Sequence, residues 1–254
     1  MAFLARGAVK LYYEVHGDKG PVLILTHGFS ATSAMWRGQI EAFSKDHRLV
    51  IWDMRGHGQS DYPEDPSAYS EKATVEDIGA LLDAVGAEKA IVGGLSLGGY
   101  MSMAFYAAHP ERVLSLLIID TGPGFKKDEA RDNWNKYALA TAAKLETEGL
   151  SALQSASAER ATSKHRSAAG VAHAARGMLT QRDATVINAL ANIKVPSLVI
   201  VGARDENFLN AADYMAARIP GVEKVVIPDA GHAANIDQPA IFNKAVLDFL
   251  QKAR

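Results

Sequence analysis

Apolar runs of strand length alternate with helix-like segments along most of the chain. The runs cover these ranges, and all but the first and last are apolar at almost every position: 9–15, 22–26, 49–52, 90–93, 114–119, 197–201 and 222–227. Strands that are apolar on both faces are typical of parallel sheets covered by helices. Two other segments, 75–85 and 241–250, repeat apolar residues every three or four positions, as one face of a helix does. The pattern predicts an α/β fold with an open, doubly wound, mostly parallel sheet and helices on both faces.

The alternation stops between about Gly122 and Ile193. This stretch has no strand-like run and is rich in Ala, Lys, Glu and Arg, which predicts several short helices inserted between two strands. Ligands of doubly wound sheets bind beyond the carboxyl ends of the strands, where such insertions also lie. We therefore predict a core domain of residues 1–121 and 194–254 and a helical cap, or lid, of residues 122–193. The alternative is a pair of surface excursions that contact no site.

Composition and charge add mainly exclusions. The chain has 254 residues, and its 27 Lys and Arg against 29 Asp and Glu give a net charge of -2, so neither nucleic acid nor an anionic membrane is expected as a partner. The lack of cysteine excludes disulfides, thiolate metal sites and a cysteine nucleophile. The first residues do not have the pattern of a signal peptide, and no apolar run reaches the roughly 18 residues that cross a bilayer. A cytoplasmic protein, monomeric or homodimeric, is the expectation.

One short motif points to nucleophilic chemistry. Gly94-x-Ser96-x-Gly98 follows an apolar run and precedes a helical segment, which is the context of a nucleophile elbow. Lifting a serine hydroxyl clear of the sheet requires a very sharp turn, and side chains two positions away would collide with it. The serine also precedes a helix, whose unpaired N–H groups favour negative charge. The motif predicts Ser96 as a nucleophile; the alternative is a glycine-rich turn with an incidental serine.

The N–H groups that would stabilise an oxyanion are predicted from two places in the chain. The residue after the nucleophile, Leu97, offers one, and the loop after the second apolar run offers the other at Phe29. His27, in the same loop, is predicted to brace it rather than to act as the base. Asp53 and Asp237 are likewise predicted to brace loops.

Position selects the base among the eight histidines. His232 lies between the last strand and the last helix, at the same edge of the sheet as Ser96, whereas the others fall near strand starts, in a turn, at a helix end or in the inserted stretch. A serine hydroxyl needs such a base, and the imidazole needs a carboxylate to orient it. Asp205 and Asp120 both end strands at this edge. Asp205 is preferred because its loop reaches beyond the sheet, and Glu206 is a third option.

Taken together, the motifs resemble those of the α/β-hydrolase fold family. The likeness covers almost the whole chain outside the insertion and rests on five segments: His27-Gly28-Phe29, Asp53-Met54-Arg55-Gly56-His57-Gly58-Gln59-Ser60, Gly94-Leu95-Ser96-Leu97-Gly98-Gly99, Gly202-Ala203-Arg204-Asp205 and Gly231-His232. Small bacterial carboxylesterases, enol-lactonases and cofactor-free haloperoxidase-like members are the group it resembles most. The resemblance implies a nucleophile, base and acid at Ser96, His232 and Asp205. It also implies oxyanion donors at Phe29 and Leu97, and a helical cap after the sixth strand.

The chain is accordingly predicted to cleave a carboxylic ester or lactone through an acyl-enzyme, with no metal or organic cofactor. Phe29, Trp134 and Phe208 are predicted to line an apolar pocket for a small to medium substrate. Ser96 stands where dehalogenases and epoxide hydrolases of this fold carry an Asp nucleophile. Ser30 follows Phe29 in a region where haloperoxidase-like members often carry a proline. Dehalogenase, epoxide hydrolase and haloperoxidase-like activities are therefore all disfavoured.

Two alternatives share every motif with an esterase. One is a carbon–carbon bond hydrolase or lyase, which a polar group of the cap contacting the substrate would favour. The other is a ligand receptor that keeps the triad, which turnover slower than about one per minute would favour. A purely structural role gives no reason to keep nucleophile, base, acid and donors together.

Overall fold

The computed structural model describes residues 1–153 and 157–253, and within them eight strands form one sheet. The strands are β1 (Ala2–Arg6), β2 (Val9–His16), β3 (Val22–Thr26), β4 (Arg48–Trp52), β5 (Ala90–Leu95), β6 (Val113–Ile119), β7 (Ser197–Gly202) and β8 (Glu223–Ile227). Their order across the sheet is β1-β2-β4-β3-β5-β6-β7-β8. Neighbours from β4 to β8 pair in parallel, whereas β2 pairs antiparallel with β1 and β4. The predicted mostly parallel α/β sheet is confirmed.

Helices connect the strands and cover both faces of the sheet. The α-helices of the described residues are α1 (Arg37–Phe43), α2 (Glu71–Ala84), α3 (Leu97–Ala108), α4 (Asp128–Glu148), α5 (Ala168–Ala174), α6 (Thr185–Ala189), α7 (Glu206–Ala216), α8 (Ala234–Asp237) and α9 (Pro239–Lys252). Shorter 3-10 turns lie at Ser33–Trp36, Pro66–Ala68, Pro110–Arg112, Gly149–Leu153, Ala158–Arg160 and Leu190–Asn192, and a π-helical turn at Ala175–Leu179. Ser70 caps α2 by accepting a hydrogen bond from the N–H of Ala73 at 3.0 Å.

The sheet separates two apolar layers because successive side chains of a strand point to opposite faces. All five residues of β3 are buried, and two adjacent residues of this strand, Ile24 and Leu25, belong to different layers. One layer contains Phe105 of α3, and the other contains Phe242 of α9; both side chains are fully buried. Burying a side chain of this size stabilises the fold by about 1.5–3 kcal/mol relative to leaving it exposed.

Strand β1 was not predicted, since the first apolar run of strand length begins at residue 9. Strand β1 lies at the edge of the sheet, and only alternate residues of it are partly covered, so Phe3 remains 56% exposed. Gly7, at a φ of 62°, makes the tight turn into β2. A five-residue strand with one covered face carries a weaker apolar signal than the buried strands beside it.

The insertion after the sixth strand is helical, but its first helix is long, whereas several short helices were predicted. Helix α4 runs for 21 residues. Its fully buried positions are Ala138, Ala142 and Leu145, which lie on one face at helical spacing. Alanine contributes little apolar signal, so the stripe that holds this long helix is faint in the sequence.

Candidate active site

Ser96 lies in the sharp turn between β5 and α3. Its backbone φ of 56° and ψ of -119° are unfavourable for a residue with a side chain. Thr121 stabilises the turn, because its hydroxyl donates to the carbonyl oxygen of Ser96 at 2.7 Å. A Cβ on Gly94 would lie 2.4 Å from the carbonyl carbon of Gly98, and a Cβ on Gly98 would lie 2.2 Å from the carbonyl oxygen of Thr26. The turn that presents Ser96 therefore requires glycine at both flanking positions.

His232 and Asp205 form a hydrogen-bonded pair at the carboxyl edge of the sheet. The distance between His232 Nδ1 and Asp205 Oδ2 is 2.7 Å, and Asp205 is only 5% exposed. Burial favours the neutral imidazole, but the hydrogen bond and the charge of Asp205 outweigh it, so the pKa of His232 is raised above its ordinary value of 6.5. The ring of Phe208 stacks on the imidazole with centroids 5.1 Å apart and planes at 24°. With Nδ1 bonded to Asp205, Nε2 is the nitrogen left to accept a proton.

Asp120, the alternative acid, has a different set of partners. Its Oδ1 accepts a hydrogen bond from the N–H of Gly202 at 2.7 Å, and its Oδ2 accepts a long one from the N–H of Ala234 at 3.4 Å. The side chain is fully buried, and burial raises its pKa to about 8. Asp120 thus holds together the loops that carry Asp205 and His232. Glu206, the third option, is exposed at the start of α7.

The two N–H groups predicted as oxyanion donors lie beside Ser96. Leu97 is the first residue of α3, so its N–H has no partner within the helix. The N–H of Phe29 has no hydrogen-bond acceptor within residues 1–153 and 157–253. The loop that carries Phe29 passes close to the nucleophile, since a Cβ on Gly28 would lie 3.4 Å from Ser96 Cβ.

Three further residues brace the loops of the site, as predicted. His27 engages both ring nitrogens, Nδ1 with the carbonyl oxygen of Gly28 at 2.7 Å and Nε2 with the N–H of Met54 at 3.0 Å. Asp53 accepts hydrogen bonds from two loop N–H groups at 2.7 and 2.8 Å. Asp237 accepts one from Gly231, the residue before His232, at 2.8 Å.

A cavity of about 710 Å³ joins these groups and lies under the cap. Ser96, Asp205 and His232 all line it. So do the three side chains predicted to contact substrate, Phe29, Trp134 and Phe208. Other apolar lining residues are Leu95, Leu97, Tyr100, Phe125, Tyr137, Leu179 and Ala211. Trp134 is fixed by its indole N–H, which donates to the carbonyl oxygen of Leu179 at 2.7 Å.

Known proteins with the same fold are similar to this chain. The family described as alpha/beta hydrolase fold matches residues 21–167, more than half of the chain. The chain belongs to the α/β-hydrolase fold family. The 3-oxoadipate enol-lactonase 1 of Acinetobacter baylyi is 28% identical over 95% of this chain and 93% of its own length.

Solved structures of α/β-hydrolases superpose along the whole chain. The enol-lactonase from Burkholderia xenovorans LB400 has a TM-score of 0.85 at 28% identity, over 98% of this chain and 100% of its own. A thermophilic esterase from Thermogutta terrifontis has a TM-score of 0.81 at 29% identity, over 96% of this chain and 94% of its own. The relatives of this α/β-hydrolase thus include lactonases and esterases.

Sequence reasoning missed the polar groups that the cap contributes to the cavity of this hydrolase. Glu159 and Arg160 line it, with Glu159 only 5% exposed. Arg160 Nε is buried, lies 3.9 Å from Glu159 Oε1, and has no hydrogen-bond partner in the part of the chain that the structure describes. Gln181 Oε1, also in the cavity lining, is buried without a partner in the same residues. No local motif marks these positions, since only the packing of the cap places them in the cavity lining.

Neither a metal centre nor a membrane segment is found in residues 1–153 and 157–253. No group of three or more His, Cys, Asp or Glu side chains there could hold a metal ion. No helix in the described part of the chain is long and apolar enough to cross a membrane.

Proposed function

We propose that this protein cleaves a carboxylic ester or lactone of small to medium size through an acyl-enzyme on Ser96. The observation that supports this most directly is the convergence of three groups on one cavity. A serine at a strained turn, a histidine bonded to a buried carboxylate and two unpaired N–H groups all lie there. Each is a requirement of acyl transfer by a serine nucleophile.

The proposed reaction has two steps. His232 Nε2 removes the hydroxyl proton as Ser96 Oγ attacks the carbonyl carbon, and the oxyanion accepts hydrogen bonds from the N–H groups of Phe29 and Leu97. Collapse of the tetrahedral intermediate breaks the bond to the leaving oxygen, which takes the proton from His232. A water molecule then gives its proton to His232 and attacks the acyl carbon, and the carboxylic acid leaves as Ser96 regains its proton.

The cavity supports the substrate class. Its volume of about 710 Å³ lies inside the range of roughly 300–1,000 Å³ that holds small molecules. Six Phe, Tyr and Trp side chains of the described residues line the cavity, which suits an apolar acyl or alcohol group. We also propose that residues 122–193 form a cap domain, because Trp134, Leu179 and Gln181 all close the cavity from that segment.

The test is a chain-length panel of p-nitrophenyl esters together with simple lactones. We expect turnover by the wild-type protein and a loss of about 10³-fold or more in Ser96→Ala. Ser102→Ala is the matched control, because Ser102 lies in the helix that follows Ser96 and its hydroxyl donates to the carbonyl oxygen of Gly98 at 2.8 Å. A fluorophosphonate probe should label the wild-type protein once, on the peptide that contains Ser96. A folded Ser96→Ala variant that retains turnover would exclude the assignment.

The polar cap residues favour a second candidate, a carbon–carbon bond hydrolase or lyase on the same scaffold. Glu159 and Arg160 place a charged pair in the cavity, where an apolar ester needs none. Such a pair suits a substrate with a polar or anionic group distant from the cleaved bond. A kcat/KM for a carboxylated vinylogous diketone at least 100-fold above that for every ester and lactone would select this candidate over the first.

A further inference from the structure

Three histidines surround the loop that carries Phe29, residues 27–31, which we call the oxyanion loop. They are His27, His57 and His165, with ring centroids 5.0 Å apart for the first two and 5.5 Å for the last two. The first two belong to the core, whereas His165 belongs to the insertion after β6. The proposed mechanism uses none of them as a base.

The hydrogen bonds of each ring define which nitrogen carries the proton. His27 Nε2 and His57 Nε2 accept from the N–H groups of Met54 and Ser30, at 3.0 and 3.1 Å. His165 Nδ1 accepts from the N–H of a glycine at 3.3 Å. A nitrogen that accepts from a backbone N–H has no proton of its own, so all three rings are neutral and each donates through its other nitrogen. Burial favours the same state and lowers the pKa of all three, that of His27 to about 4.

These rings hold consecutive polar groups of the oxyanion loop. His27 Nδ1–H donates to the carbonyl oxygen of Gly28, which also accepts from the N–H of Ala31 at 3.1 Å. His57 holds the N–H of Ser30, and His165 Nε2–H donates to the carbonyl oxygen of Ser30 at 2.9 Å. The loop is thus held on both sides of Phe29.

The direction of the Phe29 N–H follows from this arrangement. The carbonyl of Gly28 and the N–H of Phe29 belong to one trans peptide, so they point in opposite directions. Fixing the carbonyl therefore aims the N–H away from His27. The next residue, Ser30, has a φ of 57°, which is unfavourable for a side chain and persists only while its surroundings hold it. Within the described residues, the hydrogen bond from His165 is the one that secures the Ser30 carbonyl.

We propose that His165 is a positioning residue for the oxyanion hole, through which the cap completes the transition-state contact made by Phe29. The segment is anchored independently, because Arg166 Nη2 donates to the carbonyl oxygen of Ser60 at 2.6 Å and its guanidinium lies 5.0 Å from the ring centroid of Tyr62. The proposal rests on the proposed function, since it concerns the same oxyanion. It adds that the core alone does not hold the donor in place.

The experiment compares His165→Ala with His165→Gln on a p-nitrophenyl ester. Glutamine places an N–H donor near the position of Nε2, so it can bond the carbonyl of Ser30, whereas alanine cannot. Loss of one oxyanion donor costs about 10²–10³ in kcat, and a misdirected donor should cost less, so we expect His165→Ala to lower kcat about 10- to 100-fold. KM should stay within about twofold, because the contact forms in the transition state. His165→Gln should recover most of the loss.

Two further measurements separate positioning from general damage to the fold. A boronic acid, which forms a tetrahedral adduct with serine, should bind His165→Ala more weakly by about the factor lost in kcat. Amide hydrogen exchange at Ser30 and Ala31 should be faster in His165→Ala than in the wild type or His165→Gln. His173→Ala is the matched control and should keep wild-type kcat, because His173 lies in the same cap and its ring packs against Tyr69.

The possible failures are distinguishable. If Ser96→Ala keeps full turnover in the same assay, the proposed function fails, and hydrogen exchange still tests the role of His165 in holding the loop. If Ser96→Ala is inactive but His165→Ala has wild-type kcat, or raises only KM, the positioning role is wrong. Equal losses in His165→Ala and His165→Gln would also overturn it, because the donor would then not matter. If His165→Ala does not fold, His165→Gln alone decides by whether it keeps wild-type kcat and exchange.

Discussion

The two buried aspartates at the carboxyl edge of the sheet are a matched pair for testing which carboxylate serves His232. Asp205 accepts the Nδ1–H of His232 at 2.7 Å, whereas Asp120 accepts only backbone N–H groups, at 2.7 and 3.4 Å. Replacing each by asparagine leaves the size of the side chain almost unchanged and removes its ability to ionise. The two variants should therefore have very different activities.

The magnitudes follow from the two environments. In a serine protease the equivalent Asp-to-Asn change lowers kcat about 10⁴-fold, or about 5.4 kcal/mol, because the histidine takes the wrong tautomer; we expect a similar loss for Asp205→Asn. Burial raises the pKa of Asp120 to about 8, so its carboxyl group is mostly neutral at pH 7. Asparagine resembles a neutral carboxyl group and can keep the 2.7 Å bond, so Asp120→Asn should retain activity within about threefold.

The assay is kcat/KM for p-nitrophenyl acetate between pH 5 and 9, with thermal melts to verify folding. A protonated His232 cannot act as a base, so wild-type activity should fall as the pH drops through the raised pKa of His232. In Asp205→Asn the residual activity should fall at a lower pH, because the carboxylate that favours the imidazolium is gone. A 100-fold loss in Asp120→Asn with near-normal Asp205→Asn would refute the assignment of the acid.

Three other predictions concern the scaffold. Gly98→Ala places a Cβ 2.2 Å from a carbonyl oxygen of β3, so α3 must shift. Displacement of the nucleophile by about 1 Å should lower kcat/KM about 100-fold, whereas a wild-type kcat/KM would show that the turn tolerates a side chain. Arg55→Ala removes the two hydrogen bonds of 2.6 and 2.8 Å that Arg55 donates to the buried Asp77, which then keeps the 3.3 Å contact from Arg6. In denaturant unfolding, the free energy of unfolding should fall by about 3–5 kcal/mol, and a fall below about 1 kcal/mol would contradict the role of this ion pair. Asp120 binds a proton more tightly in the folded than in the unfolded state, so the free energy of unfolding of the wild type should fall as the pH rises from about 4 to about 8. The total fall should be up to several kcal/mol, at about 1.4 kcal/mol per pKa unit. An unchanged dependence of stability on pH in Asp120→Asn would show that another group titrates.

Local sequence patterns were enough to predict those parts of the structure that depend on nearby residues. The buried strands are apolar along their length, so the sheet and the positions of its carboxyl ends followed from the sequence. The turn at Ser96 depends on glycines two residues away on either side, and steric exclusion at that range is visible in five consecutive letters. Edge strand β1 and the length of helix α4 were not predicted, because only alternate residues of β1 are partly covered and the buried face of α4 consists mainly of alanine.

Only the tertiary structure shows which of Asp120 and Asp205 contacts His232. Both follow parallel strands at one edge, and the sequence favoured Asp205 because its loop reaches beyond the sheet whereas Asp120 lies at the entry to the insertion. In the fold, one carboxylate meets an imidazole and the other meets backbone N–H groups from two loops, which is a matter of side-chain direction.

The residues of the cap illustrate the same limit. Glu159, Arg160 and His165 carry no motif, and their spacing matches no catalytic pattern. Their positions in the cavity lining and beside the oxyanion loop depend on how α4, α5 and the turns between them pack against the core. The turn that presents Ser96 thus depends on short-range sterics, whereas the groups of the cap are positioned by contacts between distant parts of the chain, such as that between His165 and Ser30. Such contacts are determined by the packing of whole elements, which no short stretch of sequence specifies.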